Sequence, residues 1–287
     1  MPVSSVSVLC VVIASPVFAA GQLGRARNQL SVGSGGFPVA LAVFFPLLVA
    51  ALVGLAIWTY KQNQAKVQTM QAVAAERGWT FLGDANQYVD GWDCEPFHQG
   101  KGRRVTNCVA GTYRSVSFLA FEYHYYTEST STDAQGNTRT NRTNHTFDVA
   151  VLTTRLNVPT LRLSPEGAFA RFADAITNKD IDLESDAFNR AYRLRCEDRK
   201  FAFDTFHART MEYLLAHPGT EFTLVGGDVV MSQRSRGFSP EIWGPQASGA
   251  GATEAPFDIP LTVLTGIPDF VWQDRGGKPA VVTGVSA

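Results

Sequence analysis

An α+β fold, in which an N-terminal transmembrane helix precedes a mainly antiparallel sheet with helices packed on it, is what the sequence predicts. Three observations carry this. Phe37–Tyr60 is an apolar run without a single charged residue. Apolar side chains mark Arg103–Gly111, Val116–Tyr126 and Phe147–Thr154 as strands, with clear alternation in the last two. Helical stripes and a Gly-Gly-Asp turn then follow the strands instead of alternating with them, the order of an antiparallel sheet with helices on one face.

The anchor comes first. At about 1.5 Å per residue, Phe37–Tyr60 reaches roughly 35 Å as a helix, enough for a hydrocarbon core of about 30 Å. Pro46 is tolerated inside a lipid-embedded helix. Trp58 and Tyr60 suit the headgroup layer, and Lys61 ends the apolar run. Upstream, residues 1–36 hold a second apolar stretch, Val6–Ala20, and a Gly/Ser-rich linker. The stretch is short for a span and lacks a basic leader. A cleaved signal, a weak first span and a non-native extension are all open readings. Arg25 and Arg27 precede the main span, whereas Lys61, Lys66 and Arg77 follow it. That slight basic excess places the following domain on the cytoplasmic side of the cell membrane.

Residues 61–78 continue as a membrane-proximal helix, with Val67, Met70, Val73 and Ala74 at helical spacing and Gly78 as the stop. The stripe packs on its own domain or on a twin helix. A soluble α+β domain over 79–243 follows. Trp79–Leu82 reads as a strand and Gly91–Gly100 as a loop. In Val116–Tyr126, Leu119, Phe121, Tyr123 and Tyr125 form the greasier face, which points into the core, opposite Phe118, Ala120, Glu122, His124 and Tyr126. Thr127–Thr146 has no apolar periodicity and reads as a mobile hairpin tip. Thr160–Leu163 is a short strand, and Ser164-Pro165-Glu166 opens a helix to about Thr177. Asp186–Ala191 and Arg199–Phe203 are helical turns flanking a strand at Tyr192–Cys196. A helix over His207–Ala216 precedes the hairpin Phe222–Val225/Val229–Ser232. Residues 244–256 form a linker, 257–273 a C-terminal helix packing on the domain, and 274–287 a disordered tail.

Several of these segments resemble an uncharacterised actinobacterial family of membrane-anchored proteins that carry one domain of unknown function. They are GWDCEPFHQGKGRRVTNCVAGTYRSVSFLAFEYHYY, LRLSPEG, ESDAFNRAYRLRCEDRKFAFDTFHARTMEYLL and EFTLVGGDVV. The resemblance spans about Lys61 to Trp272. It is most specific at Phe188-Asn189-Arg190-x-Tyr192 with Asp198. It implies anchoring and fold, and it assigns no catalytic residue.

Composition narrows the function classes. The 287 residues are 45% hydrophobic and 18% charged with a formal net charge of -1, which offers no basic stripe for nucleic acid. Cys10 lies in the N-terminal apolar stretch; Cys94, Cys108 and Cys196 lie in the soluble part without a CxxC, so they read as thiols in a reducing compartment. There is no P-loop, GxGxxG, HExxH or GxSxG. Cys94, His98, Cys108 and His124 lack the second tight pair of a zinc site. Asp198, Asp204 and His207 cluster in sequence with no nucleophile beside them, and read as capping residues. Asn189 and Arg190 read as partners for local backbone or an acidic neighbour. No catalytic, cofactor or metal residue is therefore expected. The functional expectation is a non-catalytic interaction, scaffold or sensory domain, held at the bilayer by Phe37–Tyr60 and with a protein partner. The alternatives are a membrane-bound hydrolase with an unrecognised site and a module that binds lipid headgroups.

Overall fold

The computed structural model describes residues 39–133, 135–167, 180–243 and 255–280. The chain divides into two units, Met1–Ala56 and Ile57–Ala287. The segments Val6–Ala20 and most of 244–256 lie outside the described residues.

Helix α1 (Val39–Glu76) is unbroken over 38 residues and passes through Pro46. Among the described residues it is the one helix long and apolar enough to cross a membrane. In the first unit the consecutive Leu47, Leu48 and Val49 are all exposed. Three successive residues point in three directions around a helix, and none of the three is covered among the described residues. The helix stops before Gly78, whose φ of 69° is open to a residue without a Cβ.

The second unit carries one sheet of eight strands: β1 (Thr80–Gly83), β2 (Lys101–Tyr113), β3 (Val116–Thr132), β4 (Thr138–Thr153), β5 (Leu161–Pro165), β6 (Tyr192–Cys196), β7 (Phe222–Val225) and β8 (Asp228–Arg234). Their spatial order is β1-β2-β3-β4-β8-β7-β5-β6, and every neighbouring pair is antiparallel. With the helices α2 (Asp186–Ala191), α3 (Arg199–Thr205), α4 (Ala208–Leu215), α5 (Asp258–Thr265) and α6 (Asp269–Gln273), the fold is α+β. Gly226 and Gly227 make the β7–β8 turn at φ 58° and 84°. A Cβ on Gly227 would stand 2.4 Å from the Leu156 carbonyl oxygen, so the turn accepts only glycine there.

Both faces of the sheet are buried, and here the structure differs from the one-sided reading of Val116–Tyr126. Phe121, Tyr123 and Tyr125 do enter a core, with Val105, Val149 and Phe147. What covers them is the loop between β1 and β2, through Ala85, Trp92 and Phe97, rather than the helices. The helices cover the opposite face, where Phe118 and Ala120 pack with Phe188, Phe206, Leu214, Phe257 and Trp272. A loop rich in aromatic rings can bury a sheet face as well as a helix can, and loop punctuation alone does not reveal this.

Four local expectations are corrected. Thr127–Thr146 is no open tip: β3 and β4 stay in register from Ser117↔Thr153 out to Thr132↔Thr138, and the turn is confined to the residues between. Among the described residues its side chains are exposed from Thr127 through Asn144, as their polarity requires, while His145 and Thr146 are half-buried. Ribbon pairing satisfies the backbone without needing apolar burial. Ser164 does not cap a helix; it is buried in β5 opposite Arg193, and residues 168–179 lie outside the described ones. The expected last helix is two, α5 and α6, separated at Gly266–Pro268, because proline lacks a donor and disfavours helical backbone in the residue before it. Arg275, expected in a structureless tail, places Nη2 2.9 Å from Asp198 and its guanidinium over the Phe201 ring.

Candidate functional site

A cleft of about 580 Å³ lies between the C-terminal half of α1 and the sheet, entirely within the second unit. One wall is α1, through Asn63, Lys66, Thr69, Met70 and Val73; the other is Gly237–Glu241; Asn107 and Glu122 form the floor. Local sequence accounts for each part. The Val67/Met70/Val73/Ala74 stripe is the side of the helix turned to the domain, with Ala74 buried and Met70 packed on the helix-side core. Spacing of three and four puts the intervening polar residues Asn63, Lys66 and Thr69 beside that stripe. Phe238 and Pro240 are buried and give the second wall an apolar surface.

The floor depends on a β-bulge. The register of β2 against β3 shifts between Thr106 and Val109, and Asn107 in the shift takes φ 55°. A bulge re-aims a side chain that regular pairing would have placed elsewhere. Asn107 Nδ2 donates to Glu122 Oε2 at 2.5 Å. Across β3–β4, Glu122 stands directly opposite Asp148, which in turn pairs with Gln233 of β8. Asp148 is 1% exposed, and its Oδ1 has no hydrogen-bond partner among the described residues. Next along the strands, the His124 ring lies between two hydroxyls, Nε2 2.8 Å from Thr106 Oγ1 and Nδ1 3.1 Å from Thr146 Oγ1.

These surroundings set protonation. Burial raises the Asp148 carboxyl above its ordinary value, and the negative field of Glu122 adds to the rise. Burial, reinforced by Arg104, lowers the His124 imidazole, which is therefore neutral at pH 7. The folded chain thus holds the Asp148 proton to higher pH than the unfolded chain does. Its contribution to stability is complete below the unfolded carboxylate value and is lost as pH rises through the raised folded value. Asp148→Asn removes that loss. The full-length variant in detergent is expected to gain melting temperature over wild type at pH 8 and to gain less at pH 4. An equal shift at both pH values would show that Asp148 titrates normally.

The residues singled out from sequence lie elsewhere. Asp198 caps α3, accepting from Phe201 N, and pairs with Arg275. Asp204 pairs with Lys200 one turn away. His207 Nε2 lies 3.1 Å from the Gly266 carbonyl oxygen. The three serve separate structural contacts and share no pocket. Asn189 bonds the backbone of Leu183 through both its oxygen and its nitrogen, while Arg190 lines a shallow surface hollow with Asp180 and Asp182. Tyr192 Oη reaches the carbonyl oxygens of Leu214 at 3.0 Å and His217 at 2.6 Å. The family-like segment is therefore built for packing. Cys108 and His124 sit in different surroundings, the first in the loop-side core and the second in the hydroxyl cluster. Among the described residues no three His, Cys, Asp or Glu side chains are grouped to hold a metal ion. A second, smaller cavity of about 120 Å³ lies beside Arg162, which joins Glu95 and Glu221 at 3.1 and 3.0 Å.

No family model matches this chain, and no curated protein does. A solved structure, that of the mycobacterial trehalose monomycolate transport factor A, TtfA, aligns with a TM-score of 0.43 at 9% identity, covering 59% of this chain and 82% of that one. A likeness at this level transfers no activity and no residue role. The function has to be argued from the cleft and the anchor.

The floor residues Asn107 and Glu122, and Asp148 behind them, are not picked out from sequence, yet a signal is present. Glu122 and His124 interrupt an apolar face in β3, and Asp148 interrupts β4. Polar residues at corresponding places in paired strands mark a polar patch once the register is known.

Proposed function

We propose that this protein is a membrane-anchored, non-catalytic binding domain, with α1 crossing the cell membrane and the second unit on its cytoplasmic side. The observation that supports this most directly is the α1 segment around Leu47–Val49, long, apolar and exposed among the described residues, as a helix covered by lipid would be. Three further features fit. Asp198, Asp204 and His207 are occupied in a helix cap, an ion pair and a backbone contact. The largest cleft is walled by the helix that leads out of the span. Lys61, Lys66 and Arg77 follow that span.

Sidedness is tested by thiol labelling of intact cells with a membrane-impermeant maleimide. Ser131→Cys provides the reporter, on the exposed β3–β4 ribbon, in a background with Cys10 and Cys94 changed to alanine. Burial pushes the Cys108 thiol up to about 12 and that of Cys196 up to about 11, so both stay protonated and silent at neutral pH. Protection in intact cells followed by labelling after lysis is the expected result. Strong labelling before lysis would place the domain outside.

A further inference from the structure

Resting on the anchored binding-domain reading, we propose that the α1 cleft holds one phospholipid with a primary-amine headgroup. The ammonium would meet the Glu122 floor and the phosphate would meet Lys66, with the acyl chains returning to the bilayer past Asn63.

The position of the cleft makes a lipid the natural occupant. Trp58 and Tyr60 suit the headgroup layer, and Asn63 and Lys66 follow them in the same helix. At 1.5 Å per residue, Lys66 is only about 9 Å of rise beyond Tyr60. A cleft walled by Asn63–Val73 therefore opens where headgroups lie, and its volume of about 580 Å³ suits a headgroup rather than a whole lipid.

Charge selects the headgroup. The cleft lining holds one basic side chain, Lys66, and two acidic ones, Glu122 and Glu241. Asp148 stands behind Glu122 with Oδ1 unpartnered among the described residues. A purely anionic headgroup meets one lysine but is repelled by the carboxylate floor. A zwitterion with the cation outermost from the glycerol complements both ends. The bulged Asn107 holds Glu122 in place, which limits its freedom before the ligand arrives. A primary ammonium donates N–H bonds to carboxylate oxygens, which the quaternary ammonium of choline cannot do.

The test uses the full-length protein reconstituted in vesicles of equal parts phosphatidylethanolamine, phosphatidylglycerol and phosphatidylcholine. The protein is then extracted in mild detergent, and bound lipid is counted by native mass spectrometry. One phosphatidylethanolamine per chain is expected to be retained in preference to the other two. Glu122→Gln is expected to reduce that retention roughly tenfold, the scale of one charge-assisted hydrogen bond. Thr69→Trp, which fills the cleft from an exposed helix position, is expected to abolish retention at an unchanged melting temperature. Equal recovery of the three lipids, preference for phosphatidylglycerol, or full retention in both variants would each overturn the proposal. The count is read after extraction, so it stands apart from the labelling assay, and either result can fail without the other.

Discussion

Leu48→Arg combined with Val49→Arg should move the protein out of the membrane fraction. Both positions lie in the middle of the apolar part of α1, and both are exposed in the structure. Each arginine near mid-bilayer costs about 3 kcal/mol on the insertion scale, so the pair costs about 6 kcal/mol. Their separation by one residue prevents both guanidinium groups from reaching the same headgroup layer along one helix face. The assay is carbonate extraction followed by ultracentrifugation, with wild type in the pellet and the variant in the supernatant. A variant that stays in the pellet would show that Val6–Ala20 holds the chain in the membrane, and would end the single-anchor reading.

Phe257→Ala should cause the largest loss of stability within the second unit. The ring is fully buried, with centroids 5.2 Å from Phe118, 5.4 Å from Tyr113 and 6.3 Å from Trp243. It joins the helix-side core to the residue that follows it, Asp258, whose carboxylate accepts from Tyr113 Oη at 2.8 Å and pairs with Arg114 at 3.1 Å. Truncating a buried phenylalanine costs about 3–5 kcal/mol through lost burial and the cavity left behind. For a unit of this size that is a drop of roughly 10 °C in melting temperature, measured on full-length protein in detergent. A drop of less than about 2 °C would mean that the segment from Phe257 onward contributes little to the core.

The legible part of the fold was what local periodicity encodes. The strand expected from Val116 begins there, the strand expected over Phe147–Thr154 is the inner half of β4, and the helical turn at Asp186–Ala191 followed by strand Tyr192–Cys196 appears as read. The Gly226-Gly227 turn and the Asp198 cap are likewise where their side-chain chemistry requires them. At Thr127–Thr146 the absence of an apolar pattern hides a regular ribbon. A two-stranded ribbon needs only a partner in register, and that partner is sixteen residues of the same hairpin. Ser164 was misread because serine before Pro-Glu is also compatible with a strand end, and pairing with Tyr192–Cys196 decided the matter.

What the sequence by itself determined was the long apolar helix, the run of strands before helices, the close hairpin turns and the lack of any recognised catalytic motif. Each follows from side chains near one another in the chain. Only the tertiary structure decided the strand order β1-β2-β3-β4-β8-β7-β5-β6 and the burial of both sheet faces. It alone assembled the cleft floor from Asn107 and Glu122, with Asp148 behind them, three residues on three strands. The physical reason is that pairing between distant segments depends on which apolar surfaces cover each other, and a one-residue shift in register would turn Glu122 to the opposite face.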